Sequence, residues 1–287
     1  MISLRYQKIS GAGNTFIVVE GRALPEGIGF PELARELCRP EQEYGGADGL
    51  IIVDSSADHD FVMGYYNRDG SSGMMCGNGG RCAVRFAADH GYLRNLEEFR
   101  FTNAGFLYGG EMHGEDVVIH FPDPREIRTN LRLNVQGEEH ELHYVDVGTP
   151  HLLLFVDQLS GVSLAGLEIE RWGPALRHHD AVQPEGANAN FIEIISPEEG
   201  VRLRTFERGV EGETGACGTG AIASGILAGL LYNFPSPVRV IPTSGSPLYI
   251  HFRITGERTV QEVALEGGTE ILMEGEVMIP ENLIPVS

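Results

Sequence analysis

Two short segments of this chain combine a thiol with glycines in a way that suits acid–base chemistry. Met75-Cys76-Gly77-Asn78-Gly79-Gly80 and Ala216-Cys217-Gly218-Thr219-Gly220-Ala221 lie about half the chain apart. Small and apolar residues follow each at helical spacing: Cys82, Ala83, Phe86 and Ala87 in one, Ala223, Ile226, Leu227 and Leu230 in the other. A cysteine followed by Gly-x-Gly and a helix has its sulfur at a helix N-terminus. There the first-turn N–H groups lack intrahelical partners and carry the positive end of the dipole. That setting favours a thiolate, and glycine lets a ligand approach the backbone. The N–H groups of Gly77, Asn78, Gly218 and Thr219 are expected to seat a carboxylate or a phosphate.

The doubling suggests more. If two such helix ends face one ligand across a cleft, a sulfur lies on each side of the carbon bearing the bound carboxylate. One thiolate and one thiol then act as general base and general acid on opposite faces, which suits inversion of a stereocentre. Three other readings are open at this point. The cysteines could be buried packing residues, one could form a Cys–His nucleophile with His151, or the motif could bind carboxylates without catalysis. Cys38 and Cys82 read as structural thiols.

Composition narrows the classes. The chain has 287 residues, 42% hydrophobic and 22% charged, enough for two buried cores. A net charge of −20 opposes binding to nucleic acid or to an anionic membrane surface. Four cysteines are no disulfide framework, and no Cys/His cluster has metal-ligand spacing, so no metal is expected. Residues 1–10 are too polar for a secretory signal. Residues 215–238 carry no charge and include Gly225 and Gly229, a pattern shared by membrane helices and enclosed helices. Polar residues and two prolines within the segment favour an enclosed helix. The expectation is a cytoplasmic protein with reduced thiols and a small-molecule partner, without nucleic-acid or membrane partners. The oligomeric state is left open, a homodimer among the options.

The elements that must position the thiols read as α+β. Strands are expected at 15–20, 50–54, 60–66, 116–121, 144–147, 152–156, 191–195 and 201–206, with a late hairpin at 248–254 and 260–266. Helices are expected at 31–39, 77–90, 165–177 and 218–231. Antiparallel pairing is favoured over βαβ alternation. Phe121-Pro122-Asp123-Pro124 reads as a linker. The repeat implies two similar, pseudo-symmetric domains. Asn67 and Arg208 each precede their cysteine by nine positions, and Gly11-Ala12-Gly13-Asn14-Thr15-Phe16 is echoed by Gly186-Ala187-Asn188-Ala189-Asn190-Phe191.

Along nearly its whole length the sequence resembles the diaminopimelate epimerase family. The likeness rests on Gly11 to Phe16, Ala47-Asp48-Gly49, Asn67-Arg68-Asp69-Gly70-Ser71, Met75 to Gly79, Gly148-Thr149-Pro150-His151, Gly186-Ala187-Asn188, Glu207-Arg208-Gly209 and Ala216 to Gly220, in that order. The resemblance implies two domains, each a curled antiparallel sheet around a central helix. The last strand is implied to return to the first domain. The domains are then 1–123 with 271–287, carrying Cys76, and 124–270, carrying Cys217. The implied reaction interconverts LL- and meso-2,6-diaminoheptanedioate in lysine biosynthesis, without pyridoxal phosphate or any other cofactor.

Carried over by position, Cys217 takes the proton in the LL-to-meso direction and Cys76 supplies one. Gly77, Asn78, Gly218 and Thr219 hold the reacting carboxylate. Glu207 contacts the substrate amine and polarises Cys217, and His151 plays the matching part for Cys76. Asn14, Asn67, Thr149, Asn188 and Arg208 grip the remaining polar groups. Thr149 departs from the usual Gly-Asn-Pro-His and Arg68 replaces a small residue, changes that bear on the distal end of the substrate. The nearest rival is an epimerase or racemase of the same fold for another amino acid, such as proline, hydroxyproline or histidine.

Overall fold

Strands enclose the uncharged segment. In the computed structural model, which describes residues 2–73, 75–280 and 283, the chain divides into two compact units, Met1–Ile119 with Gly267–Ser287 and His120–Glu266. Residues 281, 282 and 284–287 of the expected return segment lie outside the described residues.

The first unit runs β1 (Ile2–Gly11), β2 (Asn14–Glu20), α1 (Phe30–Leu37), β3 (Gly49–Ser55), β4 (Phe61–Asn67), α2 (Gly77–Asp89), β5 (Phe99–Asn103), β6 (Phe106–His113) and β7 (Asp116–His120). The second runs β8 (Glu126–Val135), β9 (Glu138–Asp146), β10 (Pro150–Phe155), α3 (Ile169–Arg177), β11 (Asn188–Ser196), β12 (Gly200–Glu207), β13 (Gly212–Thr214), α4 (Gly218–Tyr232), β14 (Val238–Ile241) and β15 (Leu248–Gly256). A long strand, β16 (Thr259–Ile279), pairs with β15 through Glu266 and with β1 from Thr269 onward.

One order of pairing occurs in both units. In the first, β1 and β2 are antiparallel, β2 and β3 parallel, β3 and β4 antiparallel, β4 and β5 parallel, and β5 and β6 antiparallel. In the second, β9, β10, β11, β12, β14 and β15 follow the same alternation. Parallel pairs occur where a helix intervenes, since only a crossover brings the chain back in the same direction. This α+β sheet curls around a helix, α2 in the first unit and α4 in the second.

That order corrects the echo between Gly11–Phe16 and Gly186–Phe191. The strand that closes the first hairpin is β2 in one unit and β10 in the other, so Asn14 corresponds to the Thr149-Pro150 turn. Asn188 opens β11, the counterpart of β3, which Gly49 opens. The nine-residue spacing misleads in the same way. Asn67 ends β4 and Glu207 ends β12, so Asn67 answers Glu207 and Arg68 answers Arg208. The loop before Cys217 is one residue longer.

Helix α4 is buried from Gly218 almost without break to Gly229 and is apolar on every side, as a helix enclosed by sheet must be. A Cβ on Gly225 would come within 2.8 Å of Ile250, and one on Gly229 within 2.5 Å of Phe252. The glycine pair therefore lets β15 approach the helix. Among the described residues no helix is long and apolar enough to cross a membrane.

Helix α3 begins at Ile169 rather than at residue 165. The carbonyls of Leu164 and Leu167 accept from Arg204 Nη1, each at 2.9 Å, while both side chains enter the core. Carbonyls held by a strand arginine do not start a helical ladder. Strands β1, β5, β6, β8, β13 and β14 go beyond the sequence expectation. β5 and β6 form a hairpin on Ala104 and Gly105, both at positive φ, a two-residue turn that needs no Asn-Gly signal.

Candidate active site

Cys76 and Cys217 are the N-cap residues of α2 and α4, each in an extended conformation with φ −100° and −110°. The carbonyl of Cys76 accepts from Gly80 N at 2.7 Å and that of Cys217 from Ala221 N at 2.9 Å. The caps then differ. Cys76 Sγ accepts from Gly79 N at 3.5 Å, while Cys217 Sγ lies 3.6 Å from Thr219 Oγ1. Gly77 and Asn78, and Gly218 and Thr219, occupy the first two helical positions, where N–H groups have no intrahelical acceptor.

In the first unit a polar chain fixes the turn of α2. Asn78, buried, donates from Nδ2 to Asn14 Oδ1 at 2.7 Å. Asn14 donates to Asp48 Oδ2 at 3.5 Å, and Asp48 also accepts from Thr15 N at 2.9 Å and from Arg68 Nη2 at 3.1 Å. Arg68 Nε donates to Ala47 O at 2.7 Å. The Arg68 guanidinium is thus committed to the β3 entrance. Asn67 is partly a turn residue: its Nδ2 donates to Ser71 Oγ at 2.9 Å and its Oδ1 accepts from Tyr65 Oη at 2.8 Å. Asn14, at the start of β2, is brought to Asn78 and Cys76, at the start of α2, by the Asn78–Asn14 bond, while Asn67, at the end of β4, bonds to Tyr65 and Ser71.

In the second unit Glu207, at the end of β12, accepts from Thr214 Oγ1 and is hydrogen-bonded to Cys217. Burial pushes the Glu207 carboxyl up, while Thr214 and Cys217 pull it down. Asn188 Oδ1 accepts from Arg208 N at 2.7 Å, which holds the start of β11 to the turn after β12. Arg208 Nη1 donates to Glu185 O at 3.4 Å. Thr149 lies half-buried in the turn before β10.

His151 pairs in register with Asn188 and is fully buried. Its Nδ1 lies 3.0 Å from Asn190 Nδ2. That amide nitrogen also donates to Asn188 O at 3.2 Å, and Asn190 Oδ1 accepts from Thr205 Oγ1 at 3.0 Å. An amide nitrogen only donates, so Nδ1 is the acceptor and Nε2 carries the proton. Burial holds the imidazole down to about 3, and the Arg208 charge acts in the same direction. The ring is neutral and offers an N–H at Nε2.

Sequence reasoning passed over Asn190, Thr214 and Asp48 as positioning residues. Asn190 had a signal, because Asn188 and Asn190 stand two apart on one strand and therefore on one face. Cys38 and Cys82 are fully buried, and burial pushes the Cys38 thiol up to about 12 and Cys82 higher still. Both are inert structural thiols. Among the described residues no cluster of His, Cys, Asp or Glu could hold a metal ion.

The model of the family described as diaminopimelate epimerase matches residues 6–105 and 143–271. A diaminopimelate epimerase of Chlorobaculum tepidum is 37% identical over 273 residues, covering 94% of this chain and all of the relative. One of Aquifex aeolicus is 34% identical, covering 96% and 98%. Solved structures share the fold at low identity. A phenazine biosynthesis protein of the PhzF family from Bacillus anthracis superposes with TM-score 0.70 at 16% identity, covering 97% of this chain and 100% of that one. A hydroxyproline epimerase from Agrobacterium vitis does so with TM-score 0.62 at 17%, covering 98% and 94%. On the family match and these full-length relatives, the chain belongs to the diaminopimelate epimerase family.

Proposed function

We propose that the protein interconverts LL- and meso-2,6-diaminoheptanedioate with two thiols and no pyridoxal phosphate. The observation that carries this reading is the pair of helices α2 and α4, each capped by a cysteine at corresponding places in two like units. In the LL-to-meso direction the Cys217 thiolate takes the α-proton. The C–H electron pair stays on the α-carbon and is delocalised into its carboxylate. The N–H groups of Gly77, Asn78, Gly218 and Thr219 bind that carboxylate and stabilise the charge as it grows. The Cys76 thiol then delivers its proton to the opposite face, leaving Cys217 as thiol and Cys76 as thiolate.

Glu207 is assigned to the substrate amine and to orienting the Cys217 S–H. His151, as a neutral Nε2–H donor, is assigned to the support of Cys76. Asn14, Asn67, Thr149, Asn188 and Arg208 are assigned to the other polar groups, with the Arg208 guanidinium suited to the distal carboxylate. A reducing compartment, the cytoplasm, keeps both thiols reduced.

The test is incubation with LL-diaminoheptanedioate in deuterated water. The expected product is the meso isomer carrying one deuterium at one α-carbon. Absence of both epimerisation and exchange would overturn the proposal. A panel with proline and hydroxyproline separates the rival specificity, since the fold is shared with a hydroxyproline epimerase.

A further inference from the structure

The two cysteine-capped helices are alike in backbone and unlike in charge. Arg81 lies five residues after Cys76 in α2 and is fully buried. Its Nη2 donates to Asn78 Oδ1 at 2.9 Å and its Nη1 to Gly77 O at 3.3 Å, while Nε meets no acceptor. Among the described residues no carboxylate forms an ion pair with it. The same position in α4, five after Cys217, is Ile222, equally buried and apolar.

A guanidinium stays protonated in proteins, and a buried cation without a counter-ion is strongly unfavourable. Burial pulls Arg81 below its ordinary value, and three titratable groups oppose that pull: Cys82 and Cys76 on its own helix and Asp116 on β7. None comes from β1–β4, which pack against the helix. Burial pushes the Cys82 thiol far up, so it stays neutral. Asp116 is exposed, and water screens its charge. Cys76, half-buried, caps the positive end of the helix whose first turn the guanidinium holds through Gly77 O and Asn78 Oδ1.

We propose that Arg81 is the internal counter-cation of Cys76. It holds that sulfur as the thiolate in the ligand-free protein and, through Asn78 and Gly77, fixes the first turn of α2 as an anion seat. Cys217, with Ile222 at the equivalent position and the Glu207 carboxyl beside it, rests as the thiol, so the ligand-free protein is poised for the meso-to-LL direction and the LL-to-meso direction first needs a proton to pass from Cys217 to Cys76. Arg81 is thus a positioning residue for the reaction, and its assignment rests on the reading of the two cysteines as acid and base.

The test is alkylation of the ligand-free, full-length protein by iodoacetamide from pH 5 to 10, with each cysteine followed by peptide mass spectrometry. The Cys76 midpoint is expected below that of Cys217. Arg81→Gln is expected to raise the Cys76 midpoint by about one pH unit or more and to leave Cys217 in place. Arg81→Lys, which keeps the charge, is expected to stay near the wild type. A wild-type Cys76 midpoint at or above that of Cys217 overturns the proposal. So does R81Q with an unmoved Cys76, R81Q that moves both cysteines together, or R81K that behaves like R81Q. Should R81Q not fold, the wild-type order and R81K decide. Alkylation needs no turnover, so this outcome is separate from a failure of exchange in deuterated water.

Discussion

Asn190 donates from Nδ2 to Nδ1 of His151 at 3.0 Å, and its own orientation is fixed because its Oδ1 accepts from Thr205 at 3.0 Å. A side-chain amide so anchored dictates the imidazole tautomer. His151 therefore presents a proton at Nε2, where it can act as a donor and not as a base.

Replacement of Asn190 by Ala removes that control. It leaves Thr205 Oγ1 and the Asn188 carbonyl without their partner in a fully buried place. We expect a loss of about 1–3 kcal/mol in stability for each orphaned group, read from urea unfolding. Epimerisation is expected to fall about tenfold or more while the protein remains folded, since the ring can then turn over to its other tautomer. Unchanged kinetics would show that the tautomer is immaterial.

Cys76→Ala and Cys217→Ala are each expected to lower epimerisation by at least about 10³-fold, within the range for a positioned acid or base. The rate of meso product formation measures it. Full activity in either variant contradicts the two-base mechanism.

Glu207 should trade stability for function. Burial raises its carboxyl, so its contribution is present below the ordinary 4.5 and is lost as the pH rises through the raised value. Glu207→Gln keeps the shape and removes the titration. Its melting temperature is expected above that of the wild type at pH 7–8, with the gap closing below pH 4.5, while epimerisation drops. Thermal melts across that range, paired with activity at pH 8, test the trade.

The buried histidines set the acid limb of stability. Burial holds His143 down to about 4 and His151 to about 3, from an ordinary 6.5. Lowered folded values mean that the unfolded chain binds more protons, so stability is present above pH 6.5 and falls as the pH drops toward 4 and 3. In His143→Gln the slope of unfolding free energy between pH 6 and 4 is expected to be shallower by about one proton. Equilibrium urea unfolding at several pH values gives that slope directly.

Gly225→Val should destabilise by about 1–3 kcal/mol, because its Cβ meets Ile250 at 2.8 Å and the packed core has no room to shift. A urea midpoint equal to that of wild type would mean that β15 adapts.

Local chemistry made the two capped helices legible. Cysteine followed by Gly-x-Gly and a run of small residues can hardly be anything but a helix start, and the structure opens α2 at Gly77 and α4 at Gly218. The absence of charge in 215–238 likewise announced an enclosed helix. Strands such as β1 and β8 were harder to see. Polar residues make up half or more of each, and pairing with β16 and β9 holds them as strands. The start of α3 was hidden because Arg204, far along the chain, takes the carbonyls of Leu164 and Leu167.

By itself the sequence determined that two sulfurs stand at two helix ends, because a helix N-terminus is a property of a few neighbouring residues. Only the tertiary structure decided how those groups are tuned. The proton on His151, the raised Glu207 carboxyl and the isolation of Arg81 all depend on burial and on partners distant in sequence. Desolvation and hydrogen bonding act through space, and no spacing along the chain encodes them.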